Sequence, residues 1–309
     1  MKSIKGLLYA VISSSTFGLI PLFTIPAINE GVPINSVLCY RFLFSILVVG
    51  SILLVRKTNL RISMKEFLTL FSLGFFYAMT ALLLTEAYFY IPSGMATTIH
   101  FLYPVLVTLI MIFFFKDKAS LPIIFATMMA IGGVYLLSSS EGSGSFSITG
   151  LILTLITVCM YAFYIVGVNK SCVRKMDGLK MTFWVIFSCA IIFLVNVLVR
   201  DGGLAPIPTS SAMRDILFLA LVPTLVSDFT LILAVQHIGS TTTAVLGCME
   251  PLTAVTMGVF FLGESCNAIQ LIGIGIILCA VTIVIIGGNL QAFKRKIKLI
   301  PELLLIRRK

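Results

Sequence analysis

Charged residues are scarce in this sequence. Asp, Glu, Lys and Arg make up 11% of its 309 residues, whereas soluble domains average about 25%. Hydrophobic residues make up 59%, so the chain has too few polar side chains to cover a folded core in water. This balance excludes an ordinary soluble domain and predicts a protein of the lipid bilayer.

Paired cysteines and catalytic motifs are also missing. The seven cysteines are an odd number and no CxxC pair occurs, so the sequence predicts neither a disulfide framework nor a metal site. We expect no cofactor. The absence of an HExxH motif, a GxSxG motif and a glycine-rich phosphate loop argues against an enzyme.

Long apolar windows fill most of the chain. A helix needs roughly 20 mostly apolar residues to cross a bilayer, and its backbone polar groups must be hydrogen-bonded internally, which favours helices over open strands. We therefore predict an all-α integral membrane protein with ten transmembrane helices. The windows are 4–28, 34–55, 66–89, 92–115, 119–138, 148–168, 179–199, 214–236, 240–262 and 267–288.

The net charge of +10 reflects orientation in the membrane rather than nucleic-acid binding. Ten spans place both termini on one side, and on that side lie all of the 22 basic residues except Arg41, Arg200 and Arg214. Basic loops stay in the cytoplasm. We therefore expect a multi-pass protein of the cell (inner) membrane with both termini cytoplasmic, whose basic tail contacts anionic lipid.

A Gly/Ser-rich connector, SSSEGSGSFS at 138–147, divides the chain near its midpoint, with five predicted spans on each side. We predict a first five-helix unit at 1–140, a linker at 141–147 and a second five-helix unit at 148–290. The cytoplasmic tail is 291–309. The other loops are too short to contain a soluble domain.

The two halves share a pattern. YIPSGMATTIHFLYP at 90–104 returns as HIGSTTTAVLGCMEP at 237–251, with Pro104 and Pro251 in register at a shift of 147 residues. Apolar helices resemble one another by composition, but the matched prolines and the central linker favour a repeat. Because five is odd, the second half enters the membrane inverted. Inverted repeats are typical of secondary transporters, whose site lies at the repeat interface.

Several motifs, in a fixed order, resemble one transporter family. They are YRF early in span two, AYFYIPSGMATTIHFLYP, and AVQHIGSTTTAVLGCMEP followed by FFLGE. Over about 6–288 the chain is similar to the drug/metabolite transporter superfamily, EamA type. The resemblance implies a basket-shaped bundle around a central cavity that opens alternately to either side. Members move amino acids, other metabolites, nucleotide sugars or drugs, so the solute stays open.

Few ionisable residues fall inside the predicted spans. A charge at the centre of a spanning helix costs on the order of 2.5–3.5 kcal/mol, so such residues are functional candidates by default. They are Arg41, Glu86, His100, Asp228 and Glu250.

Glu250 is the strongest candidate, because Pro251 loosens the helix beside it, as Pro104 does in the other half. A carboxylate removed from water holds a proton more readily, which suits proton coupling; the alternative is a hydrogen-bonded residue that locks two helices together. Asp228 either accepts a second proton, binds a substrate amine, or pairs with a hydroxyl on a neighbouring helix.

Three other residues allow both functional and structural interpretations. Arg41 and Glu86 would form a charge pair that lowers their burial cost, as an outer gate, a substrate site or a structural pair. His100 either relays protons, binds a carboxylate or packs. We expect Tyr103 on one side of the solute and Glu250 on the other.

Span six carries Thr157, Tyr161 and Tyr164 on one helical face, and its counterpart in span one contributes Ser13 and Phe17. Hydroxyls beside aromatic rings suit a cavity for an amphipathic solute. The alternative is that the hydroxyls bond one helix to another, which is common in membranes.

Together these features predict a secondary transporter that exports a small polar or amphipathic metabolite, such as an amino acid, by alternating access. One alternative is an exporter of lipophilic cations, although span one lacks the carboxylate on which small multidrug relatives depend. A membrane enzyme is the other. The expected partners are the solute, protons and lipid, without nucleic acid; the oligomeric state is open.

Overall fold

A computed structural model describes residues 2–116 and 147–264 continuously, and shorter pieces of the remaining chain. Every regular element in these described residues is helical, which confirms the predicted class. The shorter pieces are 125, 128–129, 132–133, 136, 267–269, 271–276, 278–280 and 282–283.

The helices with defined bounds are numbered in chain order. They are α1 Lys2–Phe17, α2 Ile20–Asn29, α3 Ile34–Val55, α4 Met64–Ala87, α5 Ser93–His100, α6 Tyr103–Phe115, α7 Ile148–Lys170, α8 Gly178–Arg200, α9 Ser210–Leu219, α10 Ser227–Ile238, α11 Ser240–Val245 and α12 Met249–Phe261. A π-helical segment, Ala220–Val226, joins α9 to α10, and a 3₁₀ turn, Leu246–Cys248, joins α11 to α12.

Eight segments of the described chain are long and apolar enough to cross a membrane. They are α1 with α2, α3, α4, α5 with α6, α7, α8, α9 with α10, and α11 with α12, and each overlaps one predicted window. The predicted span 119–138 lies largely outside the described residues. Of the predicted span 267–288, the described part includes a shorter apolar helix, Leu271–Ala280, and most of the rest lies outside. So do 141–146 of the linker and the whole tail, 291–309.

Four of these spans are interrupted, and each interruption has a proline within it or just after it. Proline lacks a backbone donor, and its ring clashes with the carbonyl four residues earlier. Three of the α-helices end on that fourth residue: Phe17, His100 and Leu219. The prolines are Pro21, Pro104, Pro223 and Pro251. The predicted loosening at Pro104 and Pro251 is thus a helix break just before each proline.

The helices of the two halves pack against each other. α1 lies along α10, α4 along α7, and α3 along α8. The half-helix α5 packs on α12, and α6 packs on α11. The breaks in these last two spans therefore face each other in the interior.

The surface of the bundle is apolar and its interior holds charge. Large apolar side chains, 74–84% exposed, point outward from several helices, as expected of residues in contact with lipid; examples are Leu54, Val55, Phe113, Val199 and Phe260. The side chains of Arg41, His100, Asp228 and Glu250 are at most 1% exposed.

Candidate functional site

Polar side chains from four elements meet where the broken spans face each other. His100 ends α5, Tyr103 begins α6, and Glu250 lies in the first turn of α12. Thr157 and Tyr161 project from the continuous helix α7. The proline breaks position the first three, because the chain turns there instead of continuing as a straight helix. These five buried residues are called the central cluster.

A hydrogen-bond chain assigns the protons of His100. Thr157 Oγ1 donates its one proton to the carbonyl of Thr154 at 2.6 Å. It therefore accepts from His100 Nδ1, which lies 2.7 Å away. The other ring nitrogen, Nε2, is 3.9 Å from Glu250 Oε1, and neither atom has a hydrogen-bond partner among the described residues. One proton can thus reside either on His100 Nε2 or on the Glu250 carboxyl group.

Tyr103 and Glu250 contact each other directly, so the expectation that they flank the solute from opposite sides is wrong for this conformation. The Tyr103 hydroxyl donates to Glu250 Oε2 at 3.3 Å. Gly247 makes the approach possible, because a Cβ at that position would overlap the Tyr103 hydroxyl. Tyr161 packs edge-on against Tyr103, with ring centroids 4.7 Å apart.

A second buried group, called the Arg–Asp cluster, consists of Arg41, Tyr77, Tyr164, Thr224 and Asp228. The Tyr164 hydroxyl donates to Asp228 Oδ1 at 2.6 Å, and Arg41 Nε donates to Thr224 Oγ1 at 2.5 Å. Tyr77 stacks on Tyr164 with centroids 5.1 Å apart. Within the described chain, Asp228 Oδ2, the Tyr77 hydroxyl and both terminal nitrogens of Arg41 have no hydrogen-bond partner.

The two clusters adjoin, and a small cavity lies beside them. Tyr161 and Tyr164 link the clusters, with ring centroids 5.9 Å apart. Phe17 packs against His100 and Tyr161 and also forms part of the cavity wall. The cavity is narrow, with room for about one water molecule in this conformation, and its lining residues are Phe17, Ile20, Arg41, Tyr77, Ala81, Leu84 and Thr85.

The chain matches a known family model twice. The EamA-like transporter family model covers residues 4–139 and 148–286. The chain belongs to the EamA-like transporter family. This family assignment agrees with a multi-pass membrane protein whose described part is wholly helical.

Two individual proteins are also similar to this EamA transporter. "Uncharacterized transporter YwfM" of Bacillus subtilis (strain 168) is 24% identical over 159 residues, which is 52% of this chain and 53% of the relative. The alignment therefore spans about half the length of that curated relative. A solved crystal structure has the same fold, with a TM-score of 0.68 and 15% identity over 92% of this chain and 96% of the other.

Most of the sequence-predicted residues of this EamA transporter come together in the two clusters or at their boundary. His100, Tyr103, Thr157, Tyr161 and Glu250 form the central cluster, Arg41, Tyr164 and Asp228 belong to the Arg–Asp cluster, and Phe17 lies between them. Ser13 does not join either cluster. Its carbonyl accepts from the Ser227 hydroxyl at 2.9 Å, which bonds α1 to α10.

The predicted pair of Arg41 with Glu86 does not form. Arg41 reaches Thr224 and lines the cavity with Tyr77. Glu86 lies nine residues beyond Tyr77 on α4, about 13 Å along the helix, and is half-buried. Thr85, which precedes Glu86, lines the same cavity as Arg41, but no ion pair joins Arg41 to Glu86 among the described residues. Glu86 contributes to neither cluster.

Sequence reasoning missed Tyr77 and Thr224. The repeat itself held the signal, because a shift of 147 residues places Tyr77 opposite Thr224, and both lie beside Arg41. It also missed the role of Glu264, which accepts hydrogen bonds from Ser93 N at 2.7 Å and Gly94 N at 3.1 Å. Glu264 thereby holds the first turn of α5.

The ionisable side chains of the two clusters are not grouped like the ligands of a metal ion. Among the residues that the structure describes, no three His, Cys, Asp or Glu side chains are grouped to hold an ion. The site offers carboxylates, a guanidinium, an imidazole and phenols instead. Such a set can bind a charged solute and transfer protons.

Proposed function

We propose that this EamA transporter is a secondary transporter that exports a small polar or amphipathic metabolite, such as an amino acid, by alternating access. The observation that carries the proposal is that two buried clusters of ionisable side chains meet where broken helices face each other, with a cavity beside them. Charged groups inside a membrane are costly, and secondary transporters place their sites at such breaks.

The proposal includes ten spans in two inverted five-helix halves, with both termini on the cytoplasmic face of the cell (inner) membrane. Three features support it. The family model matches each half separately. The packing of α1 on α10 has a counterpart in α7 on α4. The break at 101–102 maps to 248–249 under the shift of 147 residues, at the end of the 3₁₀ turn Leu246–Cys248.

Protons are the proposed coupling ion. His100 Nε2 faces Glu250 Oε1 at 3.9 Å. The other ring nitrogen, Nδ1, is bonded to Thr157, so Nε2 is the one that can exchange a proton with the carboxyl group. With the proton on Nδ1 and one more proton on either Nε2 or the Glu250 carboxylate, the pair has no net charge. Loss of the second proton leaves a net negative charge in the interior. The protonation state of the His100–Glu250 pair therefore changes the electrostatic field that the solute meets.

The first test uses purified full-length protein in detergent and in proteoliposomes. Amino acids, sugars, nucleotides and lipophilic cations are screened by thermal unfolding, where a ligand at 100 times its dissociation constant adds about 2.7 kcal/mol of stability. Compounds that stabilise the protein are then measured for transport. Saturable stabilisation by an amino acid, together with its transport, supports the proposal.

The Glu250→Gln variant is compared with Glu86→Gln, which makes the same chemical change outside both clusters. We expect Glu250→Gln to abolish pH-driven transport and Glu86→Gln to retain it. Transport of lipophilic cations alone would favour the multidrug alternative. If no compound crosses the membrane faster than in empty vesicles, the transport proposal fails.

A further inference from the structure

Arg41 carries a buried charge that forms no ion pair with an acidic side chain in the described part of the chain. Its side chain is 1% exposed. Its Nε donates to Thr224, but the two terminal nitrogens have no hydrogen-bond partner there, and the described ion pairs do not include Arg41. Burying a guanidinium is expensive unless its charge and its donors are satisfied.

The cavity lies directly beside this charge. Arg41 and Tyr77 contribute to its wall, and the Tyr77 hydroxyl is also without a hydrogen-bond partner among the described residues. Most of the remaining wall is apolar, formed by Phe17, Ile20, Ala81 and Leu84. The cavity thus has one cationic, donor-rich side, and the rest suits an apolar group.

A carboxylate matches the cationic side. Guanidinium donors form a planar fork that bonds both oxygens of a carboxylate. Asp228 does not fill this role, because its Oδ1 accepts from Tyr164 and no ion pair joins it to Arg41 in the described chain. Its Oδ2 has no partner among those residues and can accept from an amine.

We infer that Arg41 binds the carboxylate of the transported solute, with the Tyr77 hydroxyl as a second donor, and that the substrate class is a small carboxylic acid with an apolar body. This inference rests on the proposed transport function and specifies its site. An α-amino acid is the member of the class that also carries an amine.

Matched compounds test the inference on the wild-type protein. The probes are alanine, leucine and phenylalanine, each compared with its amide and with the acid that lacks the amine. We expect the acids to raise the unfolding temperature saturably and the amides to bind at least about 30-fold more weakly, the factor expected when a buried charge loses its partner. If an amine-free acid binds as well as the matching amino acid, the carboxylate at Arg41 is recognised and the amine contributes nothing to binding.

Two variants locate the carboxylate site. Arg41→Gln removes the charge, and Arg41→Lys keeps the charge but loses the fork. We expect about 30-fold weaker binding of the acids to Arg41→Gln and about tenfold weaker binding to Arg41→Lys. The control is Arg200→Gln at the exposed end of α8, which should bind as wild type does. Size-exclusion profiles verify that each variant is folded.

Three results would overturn the inference. They are equal binding of acids and amides to wild type, unchanged binding of acids to folded Arg41→Gln, and no stabilisation of wild type by any of the acids. None of them refutes transport, because sugars, nucleotides or cations that cross proteoliposomes would still establish a transporter with another substrate class.

Discussion

At the scale of single residues, one threonine hydroxyl sets the chemistry of the central cluster. Thr157 donates to its own helix at the carbonyl of Thr154 and so presents only an acceptor to His100. That acceptor fixes the proton on Nδ1 and leaves Nε2 toward Glu250. The Thr157 hydroxyl, which the sequence alone could assign to ordinary bonding between helices, therefore determines which histidine nitrogen faces Glu250.

Replacing Thr157 with valine should expose this dependence. Thr157→Val leaves the buried His100 Nδ1 without its acceptor, which costs about 1–3 kcal/mol in the free energy of unfolding. Proton-driven transport should fall as well, because the ring is free to change its tautomer. Thermal or denaturant unfolding in detergent measures the first effect and proteoliposome flux the second.

The matched control for this prediction is Thr256→Val. The Thr256 hydroxyl donates to the carbonyl of Leu252 on its own helix at 2.7 Å, and its side chain is exposed. It therefore loses the same kind of local bond without affecting a buried partner, and the change should stay within about 0.5 kcal/mol. Equal losses in the free energy of unfolding of the two variants would show that the bond from His100 to Thr157 adds nothing to stability.

At the scale of helices, Glu264 connects two half-helices that lie on either side of the repeat interface. Its carboxylate follows α12 and accepts hydrogen bonds from Ser93 N, Ser93 Oγ and Gly94 N at the start of α5. The first turn of a helix has unpaired donors and a positive dipole end. A carboxylate there closes α5 against α12 at the end that the predicted topology assigns to the outside.

The Glu264→Gln variant should loosen this contact. A neutral amide retains an acceptor but loses the charge, so stability should fall by about 0.5–2 kcal/mol. Amide hydrogen exchange over residues 93–97 should become faster, while the middle of α4 keeps its protection. Glu86→Gln is again the matched control. Unchanged exchange at the start of α5 would show that the carboxylate does not hold this helix end.

At the scale of the whole molecule, the eight described spans follow from hydropathy alone, because long apolar windows have few other stable structures in lipid. Proline positions also placed the helix breaks next to His100 and Glu250. These features depend on local sequence. The helical face of Thr157, Tyr161 and Tyr164 was found by the same means, since a 3.6-residue period is a local property.

Contacts between helices depend on rotation and depth, which hydropathy does not determine. The expected pair of Arg41 with Glu86 failed for this reason. The partner of Arg41 is Thr224, which lies in a π-helical segment. The Thr224 hydroxyl donates to the carbonyl of Leu219, five residues earlier. One extra residue in such a turn rotates every later side chain relative to a regular helix, so periodicity along span eight could not place Thr224 beside Arg41.

The proposed alternating access predicts that the interface of α5 with α12 opens, because the outside must then reach the clusters. A Cβ at Gly94 would lie 3.1 Å from the Cα of Val255, so cysteines at these positions reach disulfide geometry after the two helices separate by a few tenths of an ångström. In a background without the native cysteines, oxidised Gly94→Cys/Val255→Cys should lose transport, and reduction should restore it. Each single cysteine variant, oxidised in the same way, is the control. Full transport by the cross-linked protein would mean that α5 and α12 stay together through the cycle, and the opening would then have to occur elsewhere in the bundle.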